Sequence, residues 1–234
     1  SSYISNPLPS LRCALGMPTR DGSRLSSILV RSCDPLHAAP SCAAELQVNE
    51  VLGLLDLRSA KEVTDLGPSL APLAHVFADL TLPSLDSTLM THLEPEHLHE
   101  WLPLALEYLA SGKGALLAHC QAGWDRTGLV CCFLQVLAGA TRNAVAADWA
   151  ASIDNLQALR GLLGKDLYIC EHLPQGLARL DKASKDPNSY RSHLLQNALS
   201  VFDYLQGVDG ERDLALTSGA SPKMLEAAIS NMRV

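Results

Sequence analysis

Two apolar runs lie close together near the middle of the chain. Ala115–His119 (ALLAH) is short and has no polar alternation, as a strand buried on both faces would be. Residues 127–139 (TGLVCCFLQVLAG) are apolar on every side over several turns, which predicts a buried helix. Upstream, EVLGLLDLRS (50–59) is a compact apolar run ending in charge, and LAHVFADLTLP (73–83) is a further strand candidate. Residues 17–31 predict a hairpin with its turn at Asp21-Gly22. Residues 94–112 predict a helix stopped by Gly112, with Pro103 either kinking it or marking a fresh start. Beyond the central pair the pattern is helical to the end, from about residue 143 to 234. The last helix opens at Ser221-Pro222, a capping residue followed by proline at the first helical position. KASKDPNS (182–189) is the best linker candidate. Strands alternating with helices predict an α/β fold, a central and mostly parallel sheet flanked by helices, with a helical C-terminal portion.

Composition narrows the partners. The 234 residues are 47% hydrophobic, enough for a sizeable core, and carry a formal charge of −7. That balance argues against nucleic acid and against more than transient contact with a membrane surface, so any anionic ligand must be held by a local site. Seven cysteines, an odd number with no C-x-x-C pair, argue for a reduced compartment. No signal peptide is visible, which predicts a cytoplasmic location, although secretion by a route without one stays open. The longest apolar run, Gly128–Ala140, is too short to span a bilayer.

The segment between the two central runs, HCQAGWDRTG, carries the chemistry. A loop from a strand into a helix leaves backbone N–H groups without partners, and the helix dipole adds positive potential. Gly123 lets the backbone curl and Gly128 lets the helix start pack closely. The amides of Gln121, Ala122, Gly123, Trp124, Asp125 and Arg126 then form an anion nest around a phosphate. Those donors, the helix end and Arg126 all favour a thiolate at Cys120. The Arg126 guanidinium can reach back to grip two phosphate oxygens. Thr127 can donate its hydroxyl to the cysteine sulfur, Asp125 can protonate a departing oxygen and then activate water, and His119 can orient the loop. Cysteine and arginine six positions apart are weak evidence alone. With seven cysteines and arginine at roughly one residue in twenty, the spacing arises by chance in about a third of such chains. The full string between a strand and a buried helix is far more specific.

That string resembles the signature loop of the Cys-based protein tyrosine phosphatase superfamily. The wider likeness is to the atypical tyrosine and lipid phosphatases typified by mycobacterial protein tyrosine phosphatase B. LRCALGMPTRDGSRLSSILVRS (11–32), LLDLRSAKE (54–62), NAVAADWAASIDN (143–155) and the C-terminal GASPKMLEAAISNM follow that family's pattern in order. The resemblance implies one catalytic domain over 1–234, a phosphatase-like fold, a cysteinyl-phosphate intermediate, no metal or other cofactor, no stable partner, and phosphoprotein or phosphoinositide substrates. Carried over, Cys120 is the nucleophile, Arg126 the phosphate clamp and Asp125 the general acid. Two positions depart from the pattern: the family's "FRD" aspartate is Cys13, and its loop lysine is Trp124. CxxGWDRT is also how myotubularins, phosphoinositide 3-phosphatases, write this loop. Trp124 is open to three roles: stacking on a substrate ring, lying against a lipid face, or packing. As a stacking group it predicts preference for a ring carrying one or few phosphates.

Several other residues have alternative readings. Asp56, Arg58 and Glu62 either order the active-site loop or form a buried ion pair tying strand to helix, and Arg31 has the same status. Asp79 and Asp86 are alternative general acids. The stretch between Pro83 and Pro95 is too short for a large helical lid, which predicts an open site. His92, His97 and His99 with Glu94 and Glu96 match no zinc spacing and read as a solvated helix start. Cys131 and Cys132 read as core, and Cys33 as a neighbour of the loop that could protect Cys120 as a disulfide. Two other functions compete with hydrolysis. A phosphate-binding module without turnover is disfavoured by the intact Cys120, Asp125 and Arg126. Rhodanese-like sulfur transfer is disfavoured by Thr127 and the cysteine–arginine spacing.

Overall fold

The structure is a computed structural model, and it describes residues 10–35, 46, 50–67, 74–77, 93–163, 174–207 and 210–234. Five strands form one sheet: β1 (Arg12–Cys13), β2 (Leu29–Ser32), β3 (Val51–Asp56), β4 (Ala74–Phe77) and β5 (Ala115–His119), in the order β1-β2-β5-β3-β4. β1 runs antiparallel to β2 and the remaining pairs are parallel. The late strand β5 is thus inserted between β2 and β3. Ser32 on one side and Asp56 on the other stand opposite His119, so three strands end together. In open parallel sheets that edge, where the order reverses, is where ligands bind. The apolar runs at 50–59, 73–83 and 115–119 all contain the strands expected there.

β5 is buried along its whole length, with a hydrophobic cluster on each side. One is built around α4 (Asp125–Leu137), which is buried from Thr127 to Leu137, and includes Trp101, Phe133 and Trp149. The helix starts two residues before the apolar pattern does, because Asp125 and Arg126 form its polar first turn. Gly128 is required by close packing: a Cβ there would lie 2.3 Å from Trp149 Cε2, on α5 (Arg142–Ala150). Burial pushes the Cys131 thiol up to about 12, as for a core residue, and moves Cys132 the same way. The second cluster holds Val30, Cys33, Leu54, Leu117 and Trp124 against helices of the C-terminal half.

Helix α1 (Ala60–Leu66) follows β3 and carries a capping box between Ser59 and Glu62. The 94–112 pattern resolves into α2 (Pro95–Leu98) and α3 (Leu102–Ser111). Pro103 sits at the start of α3, and Gly112 closes it at φ 61°. The Asp21-Gly22 turn forms, with the Asp21 carboxylate accepting from Thr19 and Ser23. The 182–189 segment, expected as a linker, is instead continuous helical structure. α7 (Pro174–Lys185) and α8 (Pro187–Gly207) are separated by Asp186 alone, which caps the Ser189 amide at 3.0 Å. Ala183 is buried there, and Pro187 opens a helix. A short 3-10 turn (Ala151–Asn155) and α6 (Leu156–Leu163) precede α7. The chain closes with α9 (Gly210–Thr217) and α10 (Pro222–Asn231), the latter capped by Ser221 as expected.

Candidate active site

The 120–124 loop is shaped from outside itself. Cys120, at the end of β5, is 3% exposed, and its Sγ accepts the Gly123 amide at 3.3 Å. Gly123 has φ 74°, and a Cβ there would lie 2.5 Å from Ser32 O, so the loop closes against the end of β2 only with glycine. Two carbonyls are tied down by donors beyond the loop. Gln121 O accepts from the Asp34 amide at 3.1 Å, and Gly123 O from Arg31 Nη2 at 3.0 Å. In a trans peptide the next N–H points the opposite way. The amides of Ala122 and Trp124 are therefore turned away from Asp34 and Arg31, as an anion nest needs.

Arg31 is itself held. Its Nη1 donates to Asp148 Oδ2 at 2.8 Å, and Arg12 Nε donates to the other oxygen, Oδ1, at 2.8 Å. Gln135 adds a third donor to Asp148 at 3.2 Å. Burial would raise the Asp148 carboxyl, but the two guanidiniums outweigh it and hold the group well below the usual carboxylate range. Arg12 stands next to Cys13, the position that departs from the family's "FRD". Arg31, read from the sequence as either a loop-ordering residue or a buried ion pair, makes both contacts here, to Gly123 O and to Asp148; its partners Arg12 and Asp148 were not singled out by the sequence.

Arg126 projects from the first turn of α4 onto the sheet side. It donates to Glu62 as a fork, Nη1 to Oε2 at 2.7 Å and Nη2 to Oε1 at 3.0 Å, and Nη1 also reaches Leu57 O at 3.0 Å. Burial opposes its charge, but Cys120 and Glu62 outweigh that and raise its pKa. Glu62 is also the capping-box carboxylate of α1, taking the Ser59 amide at 2.6 Å. One buried side chain both caps a helix and holds Arg126. Glu62 thus forms a buried ion pair, with its partner in the first helical turn after the loop rather than on a strand.

Arg58 is fully buried, chelates Asp56 (Nε–Oδ1 2.9 Å, Nη2–Oδ2 2.6 Å), and also donates to Asp34 at 2.9 Å and Gly67 O at 3.0 Å. This is a buried ion cluster tying β3, α1 and the end of β2 together. It reaches the loop through Asp34 and through His119, whose Nε2 is 3.7 Å from Asp56 Oδ1. Burial lowers the His119 pKa against the pull of Asp34 and Asp56; the ring Nδ1 lies 3.4 Å from Cys120 O.

On the helical side, Asp125 Oδ2 pairs with Arg179 Nη1 of α7 at 2.9 Å, while Oδ1 is buried without a hydrogen-bond partner. Burial raises the Asp125 pKa against the pull of Arg179, Arg126 and His193. A buried carboxyl shifted upward is what a general acid requires. Thr127 Oγ1 is buried and makes no hydrogen bond, so the expected donation to the Cys120 sulfur is not formed here. Trp124 is 3% exposed and sits in the second core cluster, its ring 5.7 Å from Tyr190 of α8. This corrects the stacking and lipid-face readings: the indole offers no open face to a substrate, and what position 124 presents to a ligand is its amide.

Cys33 is buried beside the loop, its backbone N 2.7 Å from a Gly123 Cβ position, and Cys13, Cys120, Cys131 and Cys132 are free thiols. Asp79, Asp86, His92 and most of the 83–95 stretch lie outside the described residues, whereas Glu94 precedes α2, Glu96 and His97 lie within it, and His99 follows it as the C-cap. Among the described residues no helix is long and apolar enough to cross a membrane.

A family model described as tyrosine phosphatase family matches residues 11–207. The chain belongs to the tyrosine phosphatase family. The match runs from β1 to the end of α8 and so includes the loop, Glu62, Asp125 and Arg179. A comparison with curated proteins gave no match. Membership of the tyrosine phosphatase family makes this a phosphatase fold carrying the family's hydrolase chemistry, and the nest, clamp and carboxyl described above are its candidate parts.

Proposed function

We propose that the protein hydrolyses phosphate monoesters of phosphotyrosine or phosphoinositides through a cysteinyl-phosphate intermediate. Cys120 Sγ attacks phosphorus and the P–O bond to the leaving group breaks. Asp125 gives that oxygen its proton, while Arg126 and the loop amides hold the three equatorial oxygens. Water then attacks phosphorus, Asp125 takes its proton, the S–P bond breaks, and phosphate leaves with the thiolate restored. The observation that carries this reading is the Gly123 amide aimed at Cys120 Sγ inside a loop whose neighbouring carbonyls are anchored away from it. With its indole buried, Trp124 gives no reason to prefer sparsely phosphorylated rings, so protein and lipid substrates are tested side by side.

The test is phosphate release from phosphotyrosine peptides, phosphoserine peptides and each phosphoinositide, with the parent protein and Cys120→Ser. We expect turnover on ring-bearing phosphates, loss of all turnover in Cys120→Ser, and retained binding of vanadate by that variant. Activity of Cys120→Ser within tenfold of the parent would exclude the covalent mechanism.

A further inference from the structure

Four side chains form a closed circuit at the outer rim of the loop. Trp124 immediately precedes Asp125 in the chain. Asp125 Oδ2 is held by Arg179 Nη1 at 2.9 Å. Arg179 Nε donates to the Tyr190 hydroxyl at 3.1 Å, and the Tyr190 ring lies 5.7 Å from that of Trp124. Arg179 is thus fixed at both ends of its guanidinium, once to the candidate acid and once to the ring that packs on the acid's neighbour. The circuit uses α7, α8 and the start of α4, and it leaves the two oxygens of Asp125 unequal. Oδ2 faces a permanent cation, whereas Oδ1 is buried with no hydrogen-bond partner among the described residues.

We propose that Arg179 is a positioning residue for hydrolysis: by gripping Oδ2 it fixes the rotamer of Asp125 and leaves Oδ1 as the atom that carries the proton to the departing oxygen. The proposal rests on the reading of Asp125 as the general acid. A carboxylic acid held by a cation on one oxygen is protonated on the other. The other charged and titratable groups facing Asp125 do not replace Arg179. Arg126, on the same helix, is committed to Glu62. On α8, His193 packs its ring against Tyr190 and Tyr190 is the second anchor of Arg179.

Arg179 also opposes the upward pull of burial on Asp125, so its loss has a signature that a merely structural role lacks. In Arg179→Met the basic limb of the kcat/KM profile moves to higher pH by about one unit. The plateau for phenyl phosphate, a poor leaving group, falls about tenfold as orientation is lost, while that for 4-nitrophenyl phosphate changes little. Arg179→Lys keeps the charge and leaves the limb near the parent's. Tyr190→Phe, which removes only the second anchor, lowers the phenyl phosphate plateau by a smaller factor and keeps the fold if Arg179→Met does not. The midpoint of the Asp125 carboxyl carbon in a 13C titration gives the same comparison without turnover, and it should rise in Arg179→Met.

Asp125→Asn separates the two readings. If it slows both aryl phosphates equally, Asp125 is not the acid and the underlying reading fails. If it slows phenyl phosphate selectively while the Arg179 and Tyr190 variants keep the parent's limb, plateau ratio and carboxyl midpoint, the role given to Arg179 is overturned alone. A limb that moves as far in Arg179→Lys as in Arg179→Met also overturns it, because the charge would then not be what acts.

Discussion

Arg126 and Asp125 are neighbours in the first turn of one helix, yet they are held by opposite halves of the molecule. The arginine turns toward the sheet, where a buried glutamate and a backbone carbonyl meet it in a fork. The aspartate turns toward the C-terminal helices, where a single half-exposed arginine meets one of its oxygens. Arg126 is held by residues that also cap α1 and follow β3. Asp125 is held by a late helix through one ion pair. On the proposed mechanism, the group that would grip phosphate is thus tied to the sheet side by several bonds, and the group that would donate the proton to the helical side by one.

The sharpest way to break this contrast is to detach the helical side. We expect Trp124→Ala to cost about 3–5 kcal/mol in urea unfolding, as for other buried aromatic truncations, and to lower activity on every substrate by a similar factor. A selective loss on ring-bearing substrates, with stability kept, would restore a substrate role to the indole. On the sheet side, Glu62→Gln keeps the shape of the side chain but removes the charge facing Arg126. It should cost about 1–3 kcal/mol and weaken vanadate binding, with the preference between leaving groups unchanged. A shift in leaving-group preference would mean that the two halves are not independent.

The smallest effect concerns pH, and its sign differs between the halves. The folded pKa of Glu62 is lowered, because the Arg126 and Ser59 contacts outweigh burial. Its contribution is present above the ordinary value of 4.5 and is lost as pH falls through the depressed one. The folded pKa of Asp125 is raised by burial, so its contribution is present below the ordinary value of 3.8 and is lost as pH rises through the raised one. Asp125→Asn should therefore stabilise the protein at neutral pH, by about 0.5–1 kcal/mol as is common when a functional group is relieved, with the gain vanishing in acid. Unfolding free energies of the parent and the two single variants from about pH 2 to about pH 8 give both slopes.

Much of the sheet side was legible in the sequence because it is local. Apolar runs of the right length gave β3 and β5, and the candidate nucleophile, the tight-turn glycine and the candidate clamp lie within one short string after β5. Glu62 was visible as a charged residue just past a buried strand, though its partner Arg126 needed coordinates. The helical side was not legible. Arg179 lies on an amphipathic helix where an arginine looks like any solvated residue, and nothing local marks Asp125 as its partner. Arg31 was visible as a candidate, but its meeting with Arg12 on Asp148 was hidden for the same reason, since the three come from distant segments. Trp124 stayed ambiguous because an indole packs and stacks equally well, and only burial decides between them. The 182–189 segment misled because lysine, serine, aspartate and proline in sequence resemble a linker, while Pro187 at a helix start costs nothing.

The anchoring of Gln121 O and Gly123 O by Asp34 and Arg31 has a meaning for protein engineering. The HCQAGWDRTG string is not a portable module. Its peptide orientations are written by the end of a neighbouring strand and by an arginine in the middle of that strand, and its clamp is aimed by a capping residue after a third. Grafted onto another strand–helix junction, the same ten residues would bring the sulfur and the guanidinium but not the instructions that turn two amides inward. A transplant that works has to carry β2 from Arg31 to Asp34 and the Ser59–Glu62 cap along with the loop, so the smallest inheritable unit of this site is three strand ends rather than one motif.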